Sequence, residues 1–161
     1  MPRAALLFAL ALVAAPAAAQ DEDRYAGYHY PPVTSEETFS RVIAPGTPPA
    51  GQDVRVNFVT SITKAQLAAP ESPRFVIFEK GARSSHLIVV ALDDEIFRSL
   101  FRARAVLAQL TSNMRGTEFF RQQNLHLEGT LYDMLQIMGF ETLTLTDGAT
   151  WSHRVTFKPQ G

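Results

Sequence analysis

The stretch that decides the fold is residues 141–157, with the sequence ETLTLTDGATWSHRVTF. Apolar residues and threonines alternate on both sides of an Asp-Gly pair, a pattern typical of two strands joined by a tight turn. A two-residue turn at that pair would place apolar side chains on both faces of the hairpin. A three-residue loop (146–148) with Gly148 at positive φ pairs Leu143 with Trp151 and gives one apolar face. The sequence therefore predicts a hairpin with the three-residue loop.

Three further strands are predicted ahead of this hairpin. Residues 74–80 and 86–92 are rich in strand-forming residues and flank residues 81–85, which predicts a second hairpin with a five-residue loop. Apolar and polar residues alternate from Val54 to Ile62, which predicts a half-buried strand.

Helices are predicted between the two hairpins. The carboxylates at 93–95 predict the start of the main helix, because they cap free N–H groups and face the positive end of the helix dipole. Residues 117–123 predict a short helix. Thr130 and Asp133 have the spacing of a capping box, which predicts a further helix that ends at Gly139.

These elements predict an α+β domain over residues 53–158, with an antiparallel sheet of about five strands and two or three helices on one face. Ahead of it, residues 20–52 form a tyrosine- and proline-rich N-terminal segment, in which residues 31–32 and 45–51 indicate an extended or polyproline-like linker. Within that segment the capping-box spacing of Thr34 and Glu37 predicts a short helix over 35–41.

The first residues have the three-part pattern of a secretory signal peptide. Arg3 carries a positive charge, residues 4–15 are an uncharged apolar run, and small residues follow up to Ala19. The run is about half the length of a membrane-spanning helix, and no later segment approaches that length. We therefore expect a signal peptide over 1–19, cleavage near Ala19, a periplasmic protein and no transmembrane segment in the mature chain.

Composition excludes several classes of protein. The chain of 161 residues has 15 Lys and Arg against 16 Asp and Glu, and its arginines are scattered, so no concentrated positive face is expected for nucleic acid. It has no cysteine, so its fold cannot depend on disulfides. No phosphate-binding glycine motif and no closely spaced histidine pair occurs, which predicts neither a cofactor nor a metal site.

Three local patterns admit a chemical and a structural interpretation. Met134 and Met138 could ligate a soft metal, but a methionine stripe on an amphipathic helix is more typical of a core. Residues 84–86 place two serines beside His86, yet neighbouring side chains on a strand point to opposite faces. The carboxylates at 93–95 could form an acid and base pair, but a helix start is sufficient to explain them. We favour the structural interpretation in each case.

The most unusual feature is an aromatic cluster that follows the predicted cleavage site. Three of the four tyrosines fall within six residues, and tyrosine and arginine are residue types that anchor interfaces. The segment could fold back over the sheet or a groove of its own domain, dock on another protein, or bind carbohydrate. Its candidate binding residues are Arg24, Tyr25, Tyr28, His29 and Tyr30.

Residues 23–31, residues 102–105 and the ending GFETLTLTDG at 139–148 resemble a group of small exported Gram-negative bacterial proteins without an assigned activity. Members are often labelled molybdopterin-guanine dinucleotide biosynthesis protein A. The label implies a nucleotidyltransferase with a Rossmann-like fold and a glycine-rich loop after the first strand. Residues 60–67, which follow the first strand predicted for the domain, contain no glycine, so no catalytic residue is transferred.

Together these features predict a periplasmic, non-catalytic protein that acts by binding, either as an accessory to an envelope or membrane-complex protein or as a binder of a small ligand. The alternative function is the nucleotidyltransferase of molybdenum cofactor biosynthesis that the family label implies. The two hypotheses differ in whether the protein binds a nucleotide.

Overall fold

The computed structural model describes residues 32–42, 51–93 and 95–159. The predicted signal peptide and all five candidate binding residues lie outside the described residues. The described residues form an α+β domain, as predicted, with five strands but with four helices rather than two or three. In chain order these are β1 (Ser35–Phe39), α1 (Gln52–Ala68), β2 (Phe75–Lys80), β3 (His86–Ala91), α2 (Leu100–Met114), α3 (Glu118–Gln122), α4 (Leu131–Ile137), β4 (Thr142–Thr146) and β5 (Ser152–Phe157).

The sheet is mixed, with the strand order β1-β5-β4-β3-β2. The pairs β2/β3 and β4/β5 are antiparallel, whereas β1/β5 and β3/β4 are parallel. The prediction of an antiparallel sheet is therefore wrong for two of the four pairs. The reason is connection length: three helices separate β3 from β4, and so long a crossover brings the chain back in the same direction.

The first predicted hairpin is confirmed. Lys80 of β2 pairs with His86 of β3, which leaves the five residues 81–85 as the loop. Gly81 has φ +87°, a left-handed conformation that glycine adopts at little steric cost.

The second hairpin forms on the predicted faces but with a longer loop. Leu143 pairs with Val155 rather than with Trp151, so the loop runs over 147–151 and the three-residue loop is wrong. Asp147 explains the difference, because its Oδ1 accepts hydrogen bonds from three backbone N–H groups within the loop, those of residues 149, 150 and 151. Gly148 has φ +75°, as predicted. The observed register of the two strands differs from the predicted one by an even number of residues, so each strand side chain stays on its predicted face.

The strand predicted at 53–62 is instead the helix α1. Val54, Phe58 and Ile62 alternate with polar residues, but they are also four residues apart and therefore share one stripe of a helix. That stripe packs against the core beside the buried Val59. Arg55, which the strand prediction pointed away from the apolar face, is buried as well.

The helix predicted at 35–41 is the strand β1. Tertiary pairing with β5 overrides the local capping signal. Thr34 Oγ1 donates to the backbone oxygen of Ser152 at 2.7 Å and accepts from its backbone N–H at 3.1 Å. The hydroxyl that was expected to cap a helix therefore aligns β1 on the sheet.

The remaining helices follow their capping residues. The main helix α2 begins at Leu100 after Ser99, not at 93–95 as predicted. Asp93 instead accepts a hydrogen bond from the backbone N–H of Glu95 in the preceding turn and forms an ion pair with Arg74. The short helix α3 is confirmed with Thr117 as its N-cap. The capping box at the start of α4 is confirmed, and so is the left-handed glycine that follows it.

All four helices cover one face of the sheet, which we call the inner face. Each helix contributes buried side chains to the single core cluster that also contains Leu87, Val89, Leu143 and Leu145 of the central strands. The opposite face is called the outer face. Within the described part of the chain, no helix is long and apolar enough to cross a membrane.

Candidate functional site

The candidate site is centred on Glu37, the middle residue of the edge strand β1. Burial alternates along β1, so the Glu37 side chain points to the inner face next to Val155 of β5. There its carboxylate meets two helices. Tyr132 of α4 donates its hydroxyl to Oε1 at 2.9 Å, and Arg104 of α2 donates Nη2–H to Oε2 at 2.7 Å.

The electrostatics of this cluster keep Glu37 ionised at neutral pH. Burial raises the pKa of its carboxyl, but hydrogen bonds from Tyr132 and Arg104, together with the nearby His153 ring, lower that pKa below its usual value of 4.5. Burial, followed by the adjacent Glu37 carboxylate, raises the pKa of the Tyr132 hydroxyl far above its usual range. Tyr132 therefore keeps its proton and serves as a hydrogen-bond donor.

His153 of β5 extends the cluster into the protein. Its Nδ1 is 2.8 Å from Ser35 Oγ, its Nε2 is 3.5 Å from Glu37 Oε1, and the Trp151 ring stacks on its imidazole at a centroid distance of 6.2 Å. The residues thus follow the order of serine, histidine and carboxylate that can activate a nucleophile. Such a mechanism also needs the imidazole to pass its proton to a leaving group. The His153 residue is 1% exposed, so the ring offers no side to a leaving group and acts as a polar bridge between β1 and β5.

A cavity of about 380 Å³ opens beside Glu37. We call it the Glu37 groove; it is bounded by residues 37–39 of β1, residues on one side of α2 from Arg104 to Thr111, and residues 130–132 at the start of α4. Phe39, Leu107 and Leu131 form its apolar walls, and Arg104 and Tyr132 supply the polar groups. This combination of apolar walls and few polar groups is typical of binding sites.

An exposed aromatic residue extends the same surface. Phe101 precedes Arg104 by one turn and Ala108 by two turns of α2, so the three residues share one stripe of the helix. Phe101 is 83% exposed, whereas Arg104 and Ala108 line the groove. A large exposed aromatic side chain next to an arginine is the composition of interface anchors.

A second cavity, of about 320 Å³, lies on another part of the surface between Arg41, Val42 and residues 123–129. Close to it, the fully buried Asp133 accepts hydrogen bonds from Arg41 and from both the backbone and the hydroxyl of Thr130. Asp133 therefore caps α4 and fixes the chain after β1. These contacts are structural, and we place the candidate site at the Glu37 groove.

The other chemical patterns of the sequence are explained by the fold. Met134 and Met138 are 2% and 4% exposed and belong to the core. His86 bonds Thr142 Oγ1 at 3.0 Å, whereas Ser84 accepts a hydrogen bond from Gln52. Among the described residues, no three metal-ligating side chains come together.

Sequence reasoning missed this site because its residues come from four separate elements. The capping-box spacing assigned Glu37 to a helix start, and no sequence pattern marked Arg104 or Tyr132 as a binding residue. One signal was available: Tyr132 is the one tyrosine outside the N-terminal cluster. No protein-family model, curated protein or solved structure matches this chain.

Proposed function

We propose that this protein is an exported, non-catalytic binding protein of the periplasm that holds an extended segment of an envelope protein along β1. The signal-peptide pattern of residues 1–19 supports the location. One observation carries the binding mode: among the described residues β1 is an edge strand with no partner on its outer side, and the Glu37 groove lies next to it.

The backbone of β1 has the groups that such a segment needs. Phe39 O accepts a hydrogen bond from the backbone N–H of Lys158, so the C=O and N–H of Phe39 face β5. The backbone groups of successive residues in a strand point to opposite edges, and those of Glu36 and Thr38 therefore face away from β5. Unpaired N–H and C=O groups at an edge form hydrogen bonds with an added strand.

The other edge of the sheet is protected. Helix α1 lies beside β2, and the Gln66 side chain donates to the backbone oxygen of Phe75 at 2.9 Å. This contact occupies an acceptor that an added strand would use. Strand addition is therefore favoured at β1 rather than at β2.

The groove indicates which side chains the added segment carries. Arg104 compensates the charge of Glu37, so the walls select for apolar shape more than for a charged group. Alternate residues of an extended segment point to the same side, so one apolar side chain enters the groove at every second position. Phe101 then contacts the next apolar residue of the segment.

A proline at position 38 tests the binding mode. Thr38→Pro removes an N–H that faces the free edge, and proline is tolerated at such edge positions without loss of the pairing with β5. Thr38→Val is the matched control, because it keeps the N–H and the strand preference. A photo-crosslinking amino acid replaces Phe101 in both variants, and Leu67, which is 77% exposed on α1, is the control labelling position.

We expect a discrete adduct with an envelope protein from position 101 but not from position 67. This adduct should persist in Thr38→Val and disappear in Thr38→Pro. Equal crosslinking in both variants would contradict strand addition at β1. The nucleotidyltransferase alternative is tested separately by calorimetric titration of the mature protein with GTP and Mg²⁺, where clear binding would overturn the non-catalytic proposal.

A further inference from the structure

Three aromatic rings from different elements meet beside the Glu37 groove. Phe39 of β1 contacts Tyr132 of α4 edge to face at a centroid distance of 5.2 Å and Phe157 of β5 at 6.1 Å. Tyr132 and Phe157 complete the cluster at 5.9 Å, with their ring planes 76° apart. Phe157 is buried, whereas Phe39 and Tyr132 are half-buried and line the groove. The cluster therefore presents two of its three rings to a side chain in the groove.

We propose that the Glu37 groove is specific for an aromatic side chain of the bound segment, and that Phe39 and Tyr132 determine this specificity. This specificity rests on the strand addition proposed above, because the groove receives a side chain of the added segment. The segment then carries a phenylalanine, tyrosine or tryptophan at the position that faces the groove, between two residues whose side chains point away from it.

The two rings that line the groove are held in place before any segment binds. The Tyr132 hydroxyl donates to Glu37 Oε1 at 2.9 Å, which fixes the polar end of this side chain. Phe39 is held by its contacts with Tyr132 and Phe157 and by the pairing of its strand with β5. Groups that are already ordered lose little conformational entropy on binding. A further ring can therefore join the edge-to-face cluster without reorganisation of the groove.

Ring contacts distinguish an aromatic side chain from an aliphatic one. Burial of apolar area separates the two only weakly, because phenylalanine and leucine gain similar amounts when they leave water. An aromatic pair in edge-to-face or offset geometry gains a further factor of about 2–10 in affinity. Contacts with both Phe39 and Tyr132 therefore favour an aromatic side chain over leucine by about tenfold.

The ion pair in the groove wall disfavours charged side chains of either sign. Arg104 Nη2 is 2.7 Å from Glu37 Oε2, so a carboxylate that enters the groove meets Glu37 and an ammonium group meets Arg104. An aromatic ring avoids both repulsions and can stack on the guanidinium, because the hydrogen bond to Glu37 uses only the edge of that planar group. The Arg104 side chain is 58% exposed and is therefore accessible for this contact.

Disulfide tethering tests this specificity without knowledge of the partner. The chain has no cysteine, so Ala108→Cys in the mature protein places a single thiol on the groove wall. Leu67→Cys, at an exposed position of α1, is the matched control. Each variant is equilibrated with equal amounts of the phenylacetyl and isovaleryl amides of cystamine in the presence of excess thiol, and intact-mass spectrometry measures the ratio of the two adducts. These acyl groups carry the side chains of phenylalanine and leucine.

We expect the ratio of aromatic to aliphatic adduct to be about tenfold higher at position 108 than at position 67. A ratio no higher at position 108 than at position 67 would overturn the proposal. Both cysteines replace exposed residues, so neither variant depends on a change in the core.

Removal of one ring tests the assignment to particular residues. Phe39→Leu in the Ala108→Cys background keeps an apolar wall but loses a ring, and it should reduce the tenfold preference to about threefold. Circular dichroism shows whether this variant is folded. An unchanged preference in the folded variant would contradict the role of Phe39.

The aromatic specificity and the strand addition fail separately, because the tethered groups add no strand. Equal adduct ratios at positions 108 and 67, with crosslinking that still distinguishes Thr38→Val from Thr38→Pro, would reject the aromatic specificity alone. An aromatic preference at position 108, with equal crosslinking in Thr38→Val and Thr38→Pro, would reject the strand addition.

Discussion

Replacing Arg55 with methionine tests the assignment of α1 directly, because a strand and a helix place this side chain in different surroundings. As the outward residue of a half-buried strand, Arg55 would contact water, and Arg55→Met would change stability little. In the helix it is 7% exposed, and its guanidinium donates to the backbone oxygens of Arg83, Ser84 and Met138 at 2.7, 3.1 and 2.9 Å.

The size of the effect follows from these acceptors. The hydrogen bonds to Ser84 and Met138 are buried, so methionine would leave two carbonyl oxygens without a donor and without water. Each unsatisfied buried group costs about 1–3 kcal/mol, which gives a loss of about 2–6 kcal/mol in the free energy of unfolding. Methionine has a similar length, so this loss contains little contribution from a cavity.

Urea unfolding followed by the fluorescence of Trp151, the single tryptophan, measures this change. Lys64→Met is the matched control, because Lys64 is exposed on the same helix and its replacement should alter stability by less than about 0.5 kcal/mol. Arg55→Lys should recover only part of the loss, since an ammonium cannot reach all three oxygens in the geometry of the guanidinium. An Arg55→Met protein as stable as Lys64→Met would refute the helical assignment.

Three further substitutions test the candidate site, the N-cap of α4 and the loop between β4 and β5. The folded-state pKa of Glu37 lies below 4.5, so the contribution of its carboxylate to stability is present at neutral pH and is lost as the pH falls below about 4.5. Glu37→Gln should therefore show a smaller difference in unfolding free energy between neutral and acidic pH than the unchanged protein does. Urea titration at each pH measures this difference. Thr130→Ala should cost about 1–2 kcal/mol, because it removes the N-cap of α4 and a donor to the buried Asp133; Thr130→Ser should recover most of this loss in the same assay. Asp147→Ala should cost about 1–2 kcal/mol, whereas Asp147→Asn, which keeps an acceptor, should cost less, and equal losses for the two would contradict the loop geometry.

Elements specified by neighbouring residues could be predicted from the sequence. The β2/β3 hairpin follows from two strand-forming runs around a short loop, and α4 follows from the Thr130 capping box and the glycine after its end. In each case the first contact joins residues that are close in sequence, Lys80 with His86 in the hairpin and Thr130 with Asp133 at the start of α4. Local patterns and the final structure therefore agree.

Elements specified by distant contacts were predicted wrongly. The apolar residues of α1 fit both the two-residue period of a strand and the four-residue spacing of a helix stripe. The contacts of Arg55 with the β2–β3 loop and with the end of α4 decide between the two. Likewise, β1 has a capping-box spacing, and its strand conformation depends on β5, more than one hundred residues later. Contacts between residues so far apart cannot be inferred from the local patterns of a single sequence.

The candidate site has the same dependence on distant contacts, and this links its function to the stability of β1. Five residues paired on one side form a weak strand, so β1 needs the contacts of Glu37 with Tyr132, Arg104 and His153 to stay on the sheet. The same contacts form one wall of the groove and hold the free edge in place. A partner that adds a strand to that edge would pair β1 on both sides, and its binding energy would stabilise the domain in proportion to occupancy. Variants of Glu37 should therefore weaken binding and stability together, whereas Thr38→Pro should weaken binding alone.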